Sequence, residues 1–382
     1  MQKVYLDNAA TTQVREEVIK RMQEALAQHY GNPSSTHSFG RTAKTMVEQA
    51  RKNIAKILNA QASEIIFTSG GTEGNNMILR SAVRDLGVET LITSKIEHHA
   101  LLHTVEELER EYGTAVHYVE LDAHGNPKMD HLEELLQRDG SKKLVSLMHV
   151  NNEIGNLTDT AAVSRLCKEH GALFHSDTVQ SIGHFPCDVQ QLPVDFMTAA
   201  AHKFHGPKGI GFVYIRKNSG LKPLILGGSQ ERGLRAGTES FHNIVGLEEA
   251  LVQAYEHLEG ETRILEGLKT YFVETLAREI PDVAFNGHSG DLDKSTPTLV
   301  NVRLPLDPQK ALMLLFHLDM KGIACSKGSA CQSGSDRGSH VLEEILPKGE
   351  LEKPSLRFSF SSYNTKEELD YVVEVLKEYI GA

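Results

Sequence analysis

The sequence predicts an α/β protein with a large domain built on a mostly parallel seven-stranded sheet, followed by a smaller α+β C-terminal domain. Three observations lead to this prediction. Short apolar runs alternate with segments of helical periodicity. A long helical stretch separates the last third of the chain from the rest. The length of 382 residues is too great for one ordinary hydrophobic core.

The predicted strands of the large domain are short apolar runs bounded by turn residues. In chain order they are residues 65–68, 91–93, 116–119, 144–148, 173–176, 196–199 and 211–215. Helical periodicity over 129–138 and 161–170 lies between two pairs of these runs. Ligands bind beyond the carboxyl ends of the strands in such sheets, so the polar residues directly after the runs are the candidates for a site.

The smaller domain begins after a helical stretch over 244–280 that is interrupted near Gly260. Its predicted elements are strands over 299–302 and 356–359 and helices over 309–318 and 366–379. The first dozen residues are extended and can join either domain. We assign residues 1–12 and 256–382 to the smaller domain and residues 13–255 to the large one.

The composition is typical of a soluble globular protein and narrows the function classes. The net charge of −11 argues against a nucleic-acid-binding face. No apolar run is long enough for a membrane helix, and no charged and apolar leader precedes Val4. Four cysteines without a CxxC pair argue against a disulfide framework or a structural zinc site and indicate the reducing cytoplasm.

Lys203 follows the apolar run 196–199 in the sequence Ala-His-Lys-Phe-His-Gly-Pro. A lysine after so apolar a run is partly desolvated, which favours the neutral amine. A neutral amine can form an imine with a carbonyl cofactor. The alternative interpretation is a surface lysine just beyond a strand end.

Other strand ends carry residues with matching chemistry. The Gly-Gly turn at Gly71 precedes a helix and can present backbone N–H groups to a phosphate, although it can also be an ordinary turn. Asp177 can keep a pyridine nitrogen protonated, or it can simply cap a helix. His98 can stack on a flat ring and shuttle protons, or pack against neighbours. His99 and His103 have the spacing of a metal-binding pair, but no third ligand is evident and we predict no metal.

Cys331 lies in the loop 326–339, which is rich in glycine and serine. Such a loop buries little apolar area, so we expect it to be mobile, and its flanking cations favour the thiolate. The alternative for Cys331 is an inert loop thiol, and Cys325 is expected to be a packing residue. Arg357, a lone cation in an apolar alternation, can clamp a carboxylate or form a salt bridge between domains.

Together these motifs resemble the cysteine desulfurases of the NifS/IscS type, within the class V aminotransferase family of pyridoxal 5'-phosphate (PLP) enzymes. The resemblance runs nearly end to end and includes residues 5–12, 31–35, 68–73, 148–155, 231–238 and 328–331. It implies the type I fold of PLP-dependent transferases. It also implies conversion of L-cysteine to L-alanine, with the sulfur left on Cys331 as a persulfide for iron–sulfur cluster assembly or other sulfur-compound biosynthesis.

The resemblance further implies a role for each candidate residue. Lys203 would hold PLP covalently, Cys331 would receive the sulfur, and His98 would stack on the ring and shuttle protons. Asp177 would pair with the pyridine nitrogen and Gln180 with the ring hydroxyl, and the phosphate would be bound by Gly71, Thr72 and His202. Thr238 would bind the phosphate in the other subunit of a homodimer. Asn152 would contact cofactor and substrate, and Arg357 would bind the substrate carboxylate.

Two positions depart from the family pattern. Ala200 stands where the family usually has a serine that bonds the phosphate, so weaker PLP retention is expected, and Thr178 stands where alanine is frequent. The longer form of the Cys331 loop favours transfer of sulfur to a partner protein such as an iron–sulfur scaffold. The alternatives are a selenocysteine or cystine lyase, an aminotransferase of the same fold, or a non-catalytic sulfur-carrier scaffold.

Overall fold

The computed structural model describes residues 2–327 and 338–381, which form an α/β architecture. Strand β1 (Val4–Tyr5) comes first, and a central sheet then contains β2 (Ile65–Thr68), β3 (Thr90–Thr93), β4 (Ala115–Tyr118), β5 (Lys143–Ser146), β6 (Leu173–Asp177), β7 (Phe196–Ala200) and β8 (Gly211–Ile215). The order across this sheet is β2-β8-β7-β6-β5-β3-β4. Only β8 runs antiparallel to its neighbours, so the predicted mostly parallel seven-stranded sheet is confirmed.

The central strands are apolar on both faces because each face packs against helices. In β2, Ile65 and Phe67 contribute to one hydrophobic cluster, whereas Ile66 contributes to another on the opposite face. All positions of β2, β7 and β8 are buried. A strand that is covered on both sides has a continuous apolar sequence rather than an alternating one, which is why short runs identified these strands.

Eight helices accompany the large sheet and lead out of it. They are α1 (Glu16–Gln28), α2 (Ser38–Ile57), α3 (Gly71–Leu86), α4 (His99–Tyr112), α5 (Met129–Gln137), α6 (Thr160–Glu169), α7 (Phe241–Glu256) and α8 (Leu258–Glu279). The interruption expected near Gly260 lies at His257. The N–H of His257 donates to the carbonyl of Gln253 at the end of α7, and its carbonyl accepts from the N–H of Glu261 in the first turn of α8. No helix of the described residues is long and apolar enough to cross a membrane.

The C-terminal part has a smaller sheet of its own. The strands of this part are β9 (Ala284–Phe285), β10 (Leu299–Arg303), β11 (Ile323–Ala324) and β12 (Ser355–Ser359), and its helices are α9 (Pro308–Met320), α10 (His340–Ile345), α11 (Lys348–Leu351) and α12 (Lys366–Ile380). Strands β12, β10 and β9 pair antiparallel, and β11 pairs with β1 in parallel. Val4 and Leu6 pack in the hydrophobic cluster of this part. The domain boundaries 1–12, 13–255 and 256–382 stay a prediction.

A buried ion pair fixes the start of the segment that leads to Thr238. Arg51 of α2 donates to both carboxylate oxygens of Glu231, at 2.7 and 2.8 Å, and both side chains are buried. Glu231 also accepts from the N–H of Phe67 at 2.7 Å, and Arg51 donates to the carbonyl of Ile65 at 2.6 Å. The carboxylate therefore joins α2, β2 and the segment after residue 230.

Replacement of Glu231 with glutamine is expected to lower the free energy of unfolding by about 3 kcal/mol, because Arg51 stays charged and buried without a carboxylate. Urea denaturation measures the change. Glu48→Gln is the matched control, since Glu48 pairs with the same arginine at 3.1 Å but is far more exposed. Its expected cost is below about 1 kcal/mol, and equal losses in the two variants would contradict the argument.

Candidate active site

A cavity of about 210 Å³ opens at the carboxyl ends of β6 and β7. It brings together most of the residues selected from the sequence: Gly71, Thr72, His98, Asn152, Asp177, Gln180, His202, Lys203 and Arg357. Cys331 lies outside the described residues. Thr238 is exposed and does not line the cavity of its own chain. The strand-end rule therefore located the cavity, whereas the role of each residue stays a prediction.

Lys203 reaches the cavity from a short 3₁₀ turn, Ala201–Lys203, that directly follows β7. Its amine donates to the backbone carbonyl of Ala9 and, at 2.9 Å, to that of Ala10. The side chain amide of Gln180 donates to the same Ala9 carbonyl at 3.0 Å. The N-terminal segment thus forms one side of the cavity, a role that its extended sequence alone did not indicate.

Asp177 is the last residue of β6 and is 7% exposed. One carboxylate oxygen accepts from the side chain amide of Asn75 at 2.6 Å, and the other accepts from the N–H of Val179 at 3.0 Å. Both oxygens keep a further lone pair for a ligand. Asn75 was not selected from the sequence, although its position four residues after Gly71 places both on one face of α3.

His98 precedes α4, and its Nδ1 accepts from the N–H of Ala100 at 3.1 Å. Burial lowers the pKa of His98, although the nearby carboxylate of Asp177 opposes that shift. The neutral ring with Nδ1 as an acceptor carries its proton on Nε2. The capping contact therefore fixes both the tautomer and the orientation of this ring.

The start of α3 has the features of an anion site. Gly70 has a φ of 149°, and a Cβ at Gly71 would lie 2.8 Å from a methyl group of Val179, so the turn requires glycine. Burial lowers the pKa of His202 to about 4. Its buried Nδ1 has no hydrogen-bond partner among the described residues. The helix start and this ring nitrogen can together serve an anion that enters the cavity.

Arg357 lies on β12 and is 1% exposed. Its guanidinium donates to the carbonyl of Asn152 at 2.7 Å and to the carboxylate of Asp7 at 3.0 Å. It therefore makes a salt bridge and lines the cavity at the same time, although its partner Asp7 belongs to the same predicted smaller domain, so this contact is not the salt bridge between domains that the sequence left open. Asp7 was not selected, although it lies in the motif 5–12; its partner is 350 positions away in sequence.

The remaining sequence candidates lie outside the cavity. Cys325 packs against the C-terminal hydrophobic cluster, and burial raises the pKa of its thiol. The rings of His99 and His103 stack with centroids 5.0 Å apart. Among the residues that the structure describes, no group of three or more His, Cys, Asp or Glu side chains could hold a metal ion.

Comparisons with known proteins agree with this architecture. The family model for class-V aminotransferases matches residues 4–372. Cysteine desulfurase IscS of Dictyoglomus turgidum is 42% identical over 379 residues, which cover 99% of this chain and 94% of that protein. A solved NifS-like protein has a TM-score of 0.90 at 36% identity and covers 100% of both chains. SspA in complex with cysteine has a TM-score of 0.82 at 33% identity, with 95% of this chain and 100% of that chain covered. The family and fold inferred from the motifs are thereby confirmed, and this chain belongs to the class-V aminotransferase family.

Proposed function

We propose that this protein is a PLP-dependent cysteine desulfurase, which converts L-cysteine to L-alanine and leaves the sulfur on Cys331 as a persulfide. The observation that carries the proposal is a single cavity lined by a lysine amine, a buried carboxylate, a helix start and a buried arginine. Relatives named cysteine desulfurase and a structural neighbour in complex with cysteine support it.

The residues of the cavity fit PLP. The start of α3 at Gly71 and Thr72, together with the orphaned Nδ1 of His202, suits the phosphate. Asp177 retains accepting capacity for a pyridinium N–H, and the Lys203 amine lines the same cavity. When bound, PLP supplies a ring that withdraws electrons from the α-carbon of an amino acid. Ala200 lines the cavity without a hydroxyl, which supports the expectation of weaker retention.

The chain's own groups then perform the remaining tasks. Arg357 orients the substrate carboxylate, and the Lys203 amine accepts the proton of the α-carbon. The Cys331 thiolate attacks the substrate sulfur, so a sulfur–sulfur bond forms as the carbon–sulfur bond breaks. The electron pair of the broken bond stays with the β-carbon, which takes up a proton and becomes the methyl group of alanine. His98, with its proton on Nε2, is the proposed proton carrier.

The proposal extends to assembly and partners. The family resemblance implies a homodimer in which Thr238, which does not line the cavity of its own chain, completes the phosphate site of the other subunit. A sulfur-acceptor protein such as an iron–sulfur scaffold would take the persulfide sulfur. The cytoplasm stays the predicted compartment, on the basis of the cysteine content.

An absorbance spectrum and a product assay test the function. The purified protein should show a PLP band and form alanine and sulfide in equal amounts from L-cysteine with a thiol reductant. A keto acid in place of alanine would indicate the aminotransferase. Faster turnover of selenocysteine or cystine would indicate a lyase, and failure to bind added PLP would indicate the non-catalytic scaffold.

Replacement of Arg357 with lysine is expected to raise KM for L-cysteine about tenfold or more, with a smaller change in kcat. An ammonium group cannot serve the Asn152 carbonyl, the Asp7 carboxylate and a substrate carboxylate with the geometry of a guanidinium fork. Steady-state kinetics measure the change. Arg303→Lys is the control, because Arg303 forms an ion pair of 2.9 Å with Glu350 and does not line the cavity. An unchanged KM in the Arg357 variant would contradict the carboxylate role.

A further inference from the structure

We propose that Glu153 and His340 form a positioning pair for sulfur transfer. Through this pair, the chain that directly follows the Cys331 loop is held against the segment that contains the substrate residue Asn152. The inference rests on the proposed desulfurase function. The contacts that support the inference all involve residues that the structure describes, outside 328–337. The sequence analysis did not select Glu153 or His340 as functional residues.

Glu153 is 0% exposed and directly follows Asn152, which lines the cavity and accepts from Arg357. One of its carboxylate oxygens accepts from the hydroxyl of Ser339. The Ser339 hydroxyl in turn accepts from the N–H of Leu342 at 3.1 Å and thereby caps α10. A single buried carboxylate thus connects the substrate-binding segment with the helix that follows Cys331 in the chain.

His340 completes this connection. Its Nε2 lies 2.9 Å from the carbonyl oxygen of Glu97, and a carbonyl only accepts, so Nε2 carries a proton. Its Nδ1 lies 3.8 Å from the second carboxylate oxygen of Glu153. Both atoms are buried, and neither has a hydrogen-bond partner in the described part of the chain. The imidazole of His340 and the carboxylate of Glu153 therefore face each other, and each presents a buried polar atom that has no other partner in the described part of the chain.

The other titratable groups near His340 are His98, His99 and Glu97. The ring of His99 lies 4.4 Å from that of His340, centroid to centroid, and burial lowers the pKa of His99 to about 4. Burial also lowers the pKa of His98 and raises that of Glu97, which favours the neutral form of both. The carboxylate that Nδ1 of His340 faces is that of Glu153.

The other side of the loop is tied to the same region. Ser326 exchanges backbone hydrogen bonds with Arg357, at 2.7 and 3.2 Å, and its hydroxyl donates to Asp7 at 2.7 Å. Asp7 also accepts from Arg357. Both described ends of the segment that contains Cys331 are therefore fastened to the residues around the substrate carboxylate. Loss of the contact between Ser339 and Glu153 should therefore slow the attack of the Cys331 thiolate on the substrate sulfur, while the residues that bind the substrate stay in place.

The test is Glu153→Gln, which replaces the carboxylate acceptor of the Ser339 hydroxyl with a weaker amide acceptor and removes the carboxylate oxygen that faces His340. We expect kcat for alanine formation to fall about tenfold, while KM for L-cysteine and the PLP spectrum stay unchanged, because Asn152 and Arg357 keep their contacts. His340→Gln should have the same effect. The double variant should be no slower than either single variant, since the two residues act as one unit.

The matched control is Glu344→Gln. Glu344 belongs to the same helix, α10, and makes an exposed ion pair with Lys95 at 3.3 Å. Loss of this surface pair should leave kcat unchanged. Full kcat in Glu153→Gln, an equal loss in Glu344→Gln, or a parallel loss of PLP binding would overturn the inference. Failure of the wild-type protein to gain sulfur from L-cysteine would instead overturn the proposed function, so mass spectrometry of the wild type separates the two failures.

Discussion

Replacement of Cys331 with serine is expected to abolish sulfur transfer, with a loss of at least about 10³-fold, and to leave PLP bound. The sulfur acceptor must be a thiolate, and a serine hydroxyl neither ionises near neutral pH nor forms a stable bond to sulfur. PLP binding should persist because the residues that line the cavity are unchanged. Intact-protein mass spectrometry after brief incubation with L-cysteine should show one added sulfur in the wild type and none in the variant.

Cys325 provides the control for this experiment. It lies six positions before Cys331 in sequence, but it packs in the C-terminal hydrophobic cluster, and burial raises the pKa of its thiol. Cys325→Ala avoids placing a hydroxyl in that cluster and should still gain one sulfur. Sulfide production by Cys331→Ser at the wild-type rate, with L-cysteine and a thiol reductant, would contradict the assignment of the acceptor.

The cavity could be located from the sequence because the architecture places strand ends together. The runs that end at Asp177 and just before Lys203 begin with apolar residues and are almost completely buried, as strands covered on both faces are, although the first also contains His175 and Ser176. Their polar successors consequently meet at one edge of the sheet. The antiparallel direction of β8 follows from the short connection 201–210, which contains no helix long enough for a parallel crossover.

The contacts that orient the site could not be predicted in this way. Asp7 meets Arg357 across 350 positions of sequence, and Glu153 meets Ser339 across 186. Nothing local distinguishes these carboxylates from surface acids, because their contacts form only when segments far apart in the sequence come together. The two-residue strands β1, β9 and β11 are likewise too short to show a period of two.

Replacement of Lys203 with alanine is the second change with a large expected effect, a loss of at least about 10³-fold in alanine formation. The amine lines the cavity beside Asp177 and lies against the carbonyls of Ala9 and Ala10, so its removal deletes both the attachment point for PLP and the proposed base. Borohydride reduction, which makes a lysine–PLP bond permanent, followed by mass spectrometry of peptides, measures the attachment directly.

Lys208→Ala is the control for this variant, because Lys208 is exposed and lies outside the cavity, five positions further along the same segment. Reduction should attach PLP to Lys203 in the wild type and in Lys208→Ala, and to no lysine in Lys203→Ala. Attachment at another lysine with retained activity would contradict the assignment. Within the described residues, Lys203 is the lysine that lines the cavity, so an active Lys203→Ala variant would require another cavity residue, such as His98, to accept the α-proton.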